Sequence, residues 1–218
     1  MLQLSTIAFI KSLKKNNNRE WFEKNRGKYE LAKEDFEKFV EALIKELSRI
    51  NPALGNLKVK DCVFRIYRDV RFSKNKQPYK TNMGAYFVEG GKKSDKAGFY
   101  IQLEPGNSFI AGGSWMPQAP QLKAIRQEID YNFEDFEKIL HAKPFQKSFG
   151  ELSDSRLKTT PKGYDSTNPA IAHLRQTSFT AEMHVDDKLF LSKTLIKKCG
   201  STYETIQPFL KFLNTAIS

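Results

Sequence analysis

The spacing of apolar residues changes twice along this chain, and these changes constrain the fold more than any other feature. Between residues 5 and 50, apolar residues recur at intervals of three and four, as on one face of a helix. The clearest helical stripe consists of Phe36, Phe39, Val40, Leu43, Ile44, Leu47 and Ile50. Between residues 58 and 115 apolar and polar residues alternate, which is typical of half-buried strands. Helical spacing then returns, so the order is helices, strands, helices.

This order predicts an α+β fold, with an antiparallel β-meander of four or five strands packed with N-terminal and C-terminal helices. Strands are predicted over residues 62–72, 82–88, 99–103, 108–114 and 178–185. The chain has no internal repeat and no linker rich in Pro, Gly or Ser, so we predict a single domain over residues 1–218. The domain is predicted to be helical over 5–50, a β-meander over 58–115 and mostly helical over 117–218.

Composition limits where the protein acts and what it binds. The 218 residues carry a net charge of +11, which favours phosphate groups, nucleic acid or another anionic partner. The two cysteines, Cys62 and Cys199, are too few for a secreted disulfide scaffold, so we expect a cytoplasmic protein. No stretch approaches the roughly 20 apolar residues that a membrane span needs, so no membrane partner is predicted.

The densest chemical feature is residues 58–80, which we call the basic segment. It contains eight Lys and Arg residues and two Asp residues, so its net charge of +6 is more than half that of the chain. Three of the nine arginines, Arg65, Arg68 and Arg71, fall within seven residues. The planar guanidinium group is suited to carboxylate and phosphate, so this clustering predicts an anion site.

The predicted strand over 62–72 assigns each of these side chains to a face. Arg65, Asp69 and Arg71 share one face of a regular strand, and Arg68 falls on the core face with Phe72. A buried arginine must be paired, so either Arg68 has a partner or a bulge at Arg68-Asp69 turns it outward. The polar loop that follows Phe72 is expected to close over the end of the strand.

The predicted site therefore combines the arginines with the loop that follows them. Its predicted ligand-binding residues are Arg65, Arg68, Arg71, Lys76, Tyr79 and Lys80. Asp69 is expected to orient one arginine, and Asp69 and Tyr79 are the candidates for a catalytic acid or base. No cofactor is predicted. No metal site is predicted either, because the three histidines and two cysteines lack the spacing of metal ligands.

The basic segment also resembles the signature of a known family. The run Arg65-x-x-Arg68-Asp69-x-Arg71-Phe72-x-x-x-Lys76-x-x-Tyr79 is similar to that of the domain of unknown function 2461 (DUF2461) family, a set of uncharacterised, mainly bacterial proteins. The resemblance extends to residues 17–22, 80–82 and 161–165 and to Phe179. It implies a single domain of the family's type, and it implies no activity because none is assigned to the family.

Three functions are consistent with these patterns. The preferred one is an anion-binding site for a phosphate- or carboxylate-bearing ligand, which extends to an enzyme acting on a phosphorylated small molecule. The second is a nucleic-acid-binding module whose basic surface joins Lys14, Lys15 and Arg19 to the basic segment. The third is a structural or protein-interaction domain in which the Arg and Asp residues form an ion-pair network. The sequence leaves the choice of ligand, the existence of a reaction and the oligomeric state open.

Overall fold

The N-terminal part of the chain is helical, as the apolar stripe predicts. The computed structural model describes residues 1–217. Helices α1 (Leu4–Lys15), α2 (Arg19–Lys24) and α3 (Arg26–Ile50) follow one another closely. The Asn18 side chain caps α2 by accepting the N–H of Trp21 at 2.9 Å. The stripe of α3 is buried from Phe36 to Leu47, because one face of this long helix packs on α1 and β1.

The middle of the chain holds three of the four strands of the sheet. A 3₁₀ turn (Pro52–Leu54) and the short helix α4 (Val59–Cys62) precede β1 (Met83–Phe87), β2 (Gly98–Leu103) and β3 (Phe109–Ser114). The remaining elements are α5 (Ala119–Tyr131), α6 (Phe133–Leu140), α7 (Lys143–Phe149), α8 (Ile171–Leu174), β4 (Phe179–His184), α9 (Asp187–Phe190) and α10 (Leu195–Ile217). The strands pair in the order β1-β2-β3-β4 in an antiparallel sheet, which confirms the α+β fold.

The strand predicted over residues 62–72 is wrong. Residues 59–62 form α4 instead, because the carboxylate of Asp61 accepts the N–H of Lys58 at 3.3 Å and turns the chain. Further along, Asp69 accepts the N–H of Arg71 at 3.2 Å, which is a local turn that competes with strand pairing. Phe72, expected on the core face, is 97% exposed.

The described chain forms two compact units. Unit 1 comprises Met1–Lys92, Tyr100–Ile110 and His184–Gly200, and unit 2 comprises Lys93–Phe99, Ala111–Met183 and the residues from Ser201 on. Each unit is assembled from three separate stretches, so neither corresponds to one of the three predicted segments. The single domain over residues 1–218 stays a prediction.

Both units have cores rich in phenylalanine. In unit 1 the Phe22 ring lies 5.0 Å from that of Tyr29, and Phe39 meets Phe190 edge-on at 6.3 Å. In unit 2 the Phe209 ring contacts those of Phe136 and Phe145. Aromatic contacts of this kind contribute beyond their buried area. Within residues 1–217, no helix has the length and apolar character needed to cross a membrane.

Candidate functional site

The basic segment folds back on itself within unit 1. Tyr67 and Tyr79 form an isolated antiparallel bridge, which two backbone hydrogen bonds flank. Arg68 donates its N–H to the Pro78 carbonyl at 2.9 Å, and Lys80 donates its N–H to the Ile66 carbonyl at 2.8 Å. Residues 69–77 therefore form a loop that begins and ends at this short paired stem.

Two of the basic side chains hold this loop together. The Arg68 guanidinium donates to the Gln77 carbonyl at 3.0 Å and to the Ser73 hydroxyl at 3.3 Å. The Lys76 ammonium donates to the Val70 carbonyl at 3.1 Å. Arg68 thus finds its polar partners inside the loop, not across a strand face. Both side chains are engaged by backbone of the basic segment itself.

Arg71 and Asp69 form an ion pair at the start of the loop. The Arg71 Nη2 donates to Asp69 Oδ2 at 2.6 Å, and Nε donates to Oδ1 at 3.0 Å. The two side chains are 76% and 47% exposed. The hydrogen bonds from Arg71 lower the pKa of Asp69 below its ordinary value, so this carboxylate is ionised at neutral pH with both oxygens engaged.

Tyr79 anchors the stem in the core. Its ring is 4% exposed and stacks on Phe22 with ring centroids 4.0 Å apart. The side-chain amide of Asn17 donates to the Tyr79 carbonyl at 2.9 Å and accepts the Tyr79 N–H at 3.1 Å. Burial raises the pKa of Tyr79, so its phenol stays protonated at neutral pH.

Arg65 and Lys80 are different, because neither charge is paired with an acid or a carbonyl group. Arg65 is exposed and Lys80 half-buried, and neither side chain has a hydrogen bond or ion pair within residues 1–217. The Lys80 ammonium lies 5.2 Å from the centroid of the Phe64 ring. Burial, and then the positive charge of Arg65, lower the pKa of Lys80. The two cations are therefore close enough to repel each other. Arg65 also contributes to the lowered pKa of Asp69.

The basic segment also exposes three aromatic rings on the surface. Phe64 is 36% exposed, Tyr67 42% and Phe72 97%. The Arg71 guanidinium lies 5.9 Å from the centroid of the Phe72 ring, within the range of a cation–π contact. The side of the basic segment that faces solvent thus combines positive charge with flat apolar rings.

The predicted site residues differ in whether their polar groups already have partners. Arg65 and Lys80 have no acid or carbonyl partner, Arg71 is paired with Asp69, and the other predicted residues make internal contacts. Asn17, which fixes Tyr79, is not among the residues predicted from the sequence. Asn17 lies within residues 17–22, a stretch that takes part in the family resemblance, and this was the one available signal.

The histidines and cysteines lie outside this arrangement. His173 Nε2 lies 2.8 Å from Glu137 Oε1, and its ring meets Phe136 edge-on at 5.1 Å. Cys62 and Cys199 are buried and free. Within residues 1–217, the His, Cys, Asp and Glu side chains form no group of three or more that could hold a metal ion.

Comparison with known proteins identifies the family. No curated protein and no solved structure matches the chain. A match to the DUF2461 family, described as a conserved hypothetical protein, extends over residues 5–212 and so includes both the basic segment and the residues that anchor it. The family predicted from the residue pattern is confirmed, and the chain belongs to the DUF2461 family.

Proposed function

We propose that this protein binds a phosphate-bearing anion at the pair formed by Arg65 and Lys80. The observation that carries the proposal is the proximity of two cations that no acid and no carbonyl of residues 1–217 engages. Two like charges close together destabilise each other, and a bound anion removes that repulsion while accepting hydrogen bonds from both. The guanidinium of Arg65 matches a phosphate or carboxylate with two parallel hydrogen bonds.

The other predicted site residues support this pair. Arg68 and Lys76 keep the loop closed, and the Asn17 clamp on Tyr79 holds the stem. Asp69 orients Arg71 beside the same surface. These contacts favour positioning roles for Asp69 and Tyr79 over catalysis, since the Asp69 carboxylate is engaged on both oxygens and the Tyr79 ring is buried. We therefore propose binding and no reaction.

The exposed rings favour a nucleic acid strand as the second candidate ligand. Phe72 is almost fully exposed and adjoins Arg71, and bases stack readily on such rings. Burial raises the pKa of Tyr79, and the positive charge of Arg19, at the start of α2, partly offsets that rise. This electrostatic effect of Arg19 on Tyr79 supports the basic surface expected of a nucleic-acid-binding module.

We also propose a cytoplasmic location. Two buried thiols without a disulfide are suited to the reducing conditions of the cytoplasm.

The test for the anion site is calorimetric titration with pyrophosphate. We expect Arg65→Ala and Lys80→Ala each to weaken binding about tenfold, the loss of one charge-assisted contact. Lys45→Ala is the matched control, because Lys45 is an exposed cation paired with Glu41 on α3. Equal affinity in all three variants, or no binding by the wild type at millimolar pyrophosphate, would reject the site.

The nucleic-acid candidate is tested by fluorescence anisotropy with a labelled oligothymidylate of about 16 nucleotides. We expect Phe72→Ala to weaken oligonucleotide binding and to leave pyrophosphate binding unchanged, since only the bases use the ring. Leu31→Ala removes a similarly exposed apolar side chain from α3 and should change neither. If Phe72→Ala binds the strand as well as the wild type does, base stacking on this ring is refuted.

A further inference from the structure

Unit 2 contains a concentration of unsatisfied polar atoms that the basic segment does not explain. Within residues 1–217, the buried side-chain nitrogen and oxygen atoms without a hydrogen-bond partner are Gln121 Oε1, Arg126 Nε, Arg175 Nε and Gln176 Oε1. Two of these lie on α5 and the other two lie directly after α8, and these two helices pack together. Buried polar groups are almost always paired, so their clustering in one place requires a reason.

Arg126 is a half-buried cation without a counter-charge. One guanidinium nitrogen, Nη2, donates to the backbone carbonyl of Gln176 at 2.9 Å, whereas Nε is buried and unpaired. No ion pair to Arg126 occurs among residues 1–217. Burial lowers the pKa of Arg126, as expected for a guanidinium removed from water without a carboxylate.

Arg175, the residue before Gln176, likewise has one bonded guanidinium nitrogen and one that is unpaired. Its Nη2 donates to the Thr160 hydroxyl over a long 3.5 Å, and its Nε is buried without a partner. Among residues 1–217 this side chain also forms no ion pair. Arg126 thus bonds the residue next to Arg175, and both partly buried arginines are without acids, which is costly unless an anion pairs with them.

Residues 160–164 bring both arginines to one loop. Thr160 accepts from Arg175, and the phenol of Tyr164 interacts electrostatically with Arg126. Gly163 adopts a φ of +94°, a conformation that favours glycine and turns the chain just before Tyr164. Burial raises the pKa of Tyr164, so its phenol keeps its proton and remains a hydrogen-bond donor.

Three carboxylates of unit 2 bond to side chains other than these two arginines. Asp130 accepts from the Asn168 side chain at 2.6 Å, and Glu137 is bonded to His173. Asp154 pairs with Arg156 at 3.1 Å. None of the three forms an ion pair with Arg126 or Arg175.

We propose that Arg126, Arg175 and Tyr164 form a second binding site, for a small organic acid that carries a hydroxyl or amino group. The acid group, a carboxylate or a phosphate monoester, accepts N–H bonds from both arginines and the O–H bond from Tyr164. The hydroxyl or amino group donates to Gln176 Oε1, an acceptor in a residue only 1% exposed. The site lies in unit 2 and does not depend on the function proposed for the basic segment.

The experiment monitors the arginine Nε–H resonances of the full chain by ¹⁵N NMR while a probe is added. The probes are L-malate, a carboxylate with a hydroxyl, and glycerol 3-phosphate, a phosphate monoester with hydroxyls. Sulfate, which has no donor of its own, is the control anion. We expect the Nε–H resonances of Arg126 and Arg175 to shift with one of the two probes, and about tenfold less affinity for sulfate. The responding probe distinguishes a carboxylate from a phosphate ligand.

Variants test whether the NMR shifts arise from binding at Arg126, Arg175 and Tyr164. Tyr164→Phe removes one hydroxyl and should weaken the responding probe several-fold at unchanged melting temperature. Arg126→Met should abolish the response of the Arg175 resonance, whereas Arg156→Met, which removes an arginine already paired with an acid, should preserve it. If neither probe moves the two resonances at millimolar concentration, or if Arg126→Met and Arg156→Met respond alike, the site does not exist.

Discussion

The side-chain amide of Asn17 bonds both backbone polar groups of Tyr79, a residue 62 positions later in the chain. Its Nδ2 donates to the carbonyl at 2.9 Å, and its Oδ1 accepts the N–H at 3.1 Å. The side-chain amide holds an N–H donor and an oxygen acceptor side by side, as a peptide group does, so Asn17 acts as one residue of a pairing strand. The stem of the basic segment is thereby fixed to the turn between α1 and α2.

The first prediction concerns this clamp. Asn17→Ala leaves two partly buried backbone groups unpaired, so we expect the free energy of unfolding to fall by about 1–3 kcal/mol. Asn16→Ala is the control, because exposed Asn16 makes one local side-chain bond to the Ser12 carbonyl and should cost less. Urea denaturation measures both variants, and equal losses would mean that the clamp carries no stability of its own.

The second prediction concerns the buried face of α3. Leu43 is fully buried and Leu31 is 68% exposed on the same helix. Leu43→Asp places an unpaired charge in the core of unit 1, and we expect a loss of at least about 3 kcal/mol or complete unfolding. Leu31→Asp should remain within about 0.5 kcal/mol of the wild type. A cooperative melt of Leu43→Asp at the wild-type temperature would contradict the packing of this face.

The third prediction ranks two arginines of the basic segment. Arg68→Ala removes the donors to Gln77 and Ser73 that close the loop, so we expect a loss of about 1 kcal/mol in denaturant melts. Arg71→Ala breaks an ion pair that is largely exposed to solvent, so we expect no measurable change in stability. The reverse order would show that the Arg71–Asp69 pair, and not the loop contacts, holds the segment.

The fourth prediction concerns alkaline pH. Burial, followed by the charge of Glu30, raises the pKa of Tyr29 from 10.0 to about 12. The folded state therefore holds the phenolic proton more tightly than the unfolded state. This contribution to stability is complete below pH 10 and is lost as the pH rises towards 12.

Tyr29→Phe isolates this effect. The variant lacks the titrating proton, so its stability should fall less steeply than that of the wild type between pH 10 and 12. Tyr131→Phe, at an exposed tyrosine, should follow the wild-type curve. Parallel curves for Tyr29→Phe and the wild type would show that Tyr29 does not titrate with a raised pKa. Urea melts at each pH supply the measurement.

Several elements of the fold were predictable from local sequence patterns. The stripe from Phe36 to Ile50 predicted a helix, because its burial needs only one apolar face at helical spacing. The turn at Pro105-Gly106 separates β2 from β3, where the strands 99–103 and 108–114 were predicted. The patterns that predict this helix and this turn each lie within a short stretch of sequence.

The strand predicted over 62–72 shows where local patterns were insufficient. Its alternation was real, but Asp61 and Asp69 bond backbone groups of their own neighbours, which turns the chain at both ends. Between these turns, Arg68 pairs with Pro78 and not with a long strand. Alternation of apolar and polar residues indicates that a strand would have one apolar face. Whether the strand pairs with a neighbour depends on the local hydrogen bonds that compete for the same backbone groups.

The sequence by itself determined the α+β class, most of the strands, the family and the concentration of positive charge in the basic segment. Tertiary structure alone decided which of those charges are engaged. Arg71 pairs with an acid and Arg68 bonds a loop carbonyl and a hydroxyl, whereas Arg65 and Lys80 have no such partner. The physical reason is that a charged side chain pairs with whichever group lies close to it in the folded chain, and that group can be distant in the sequence. Asn17 and Tyr79 make the same point, because no periodic pattern links residues so far apart.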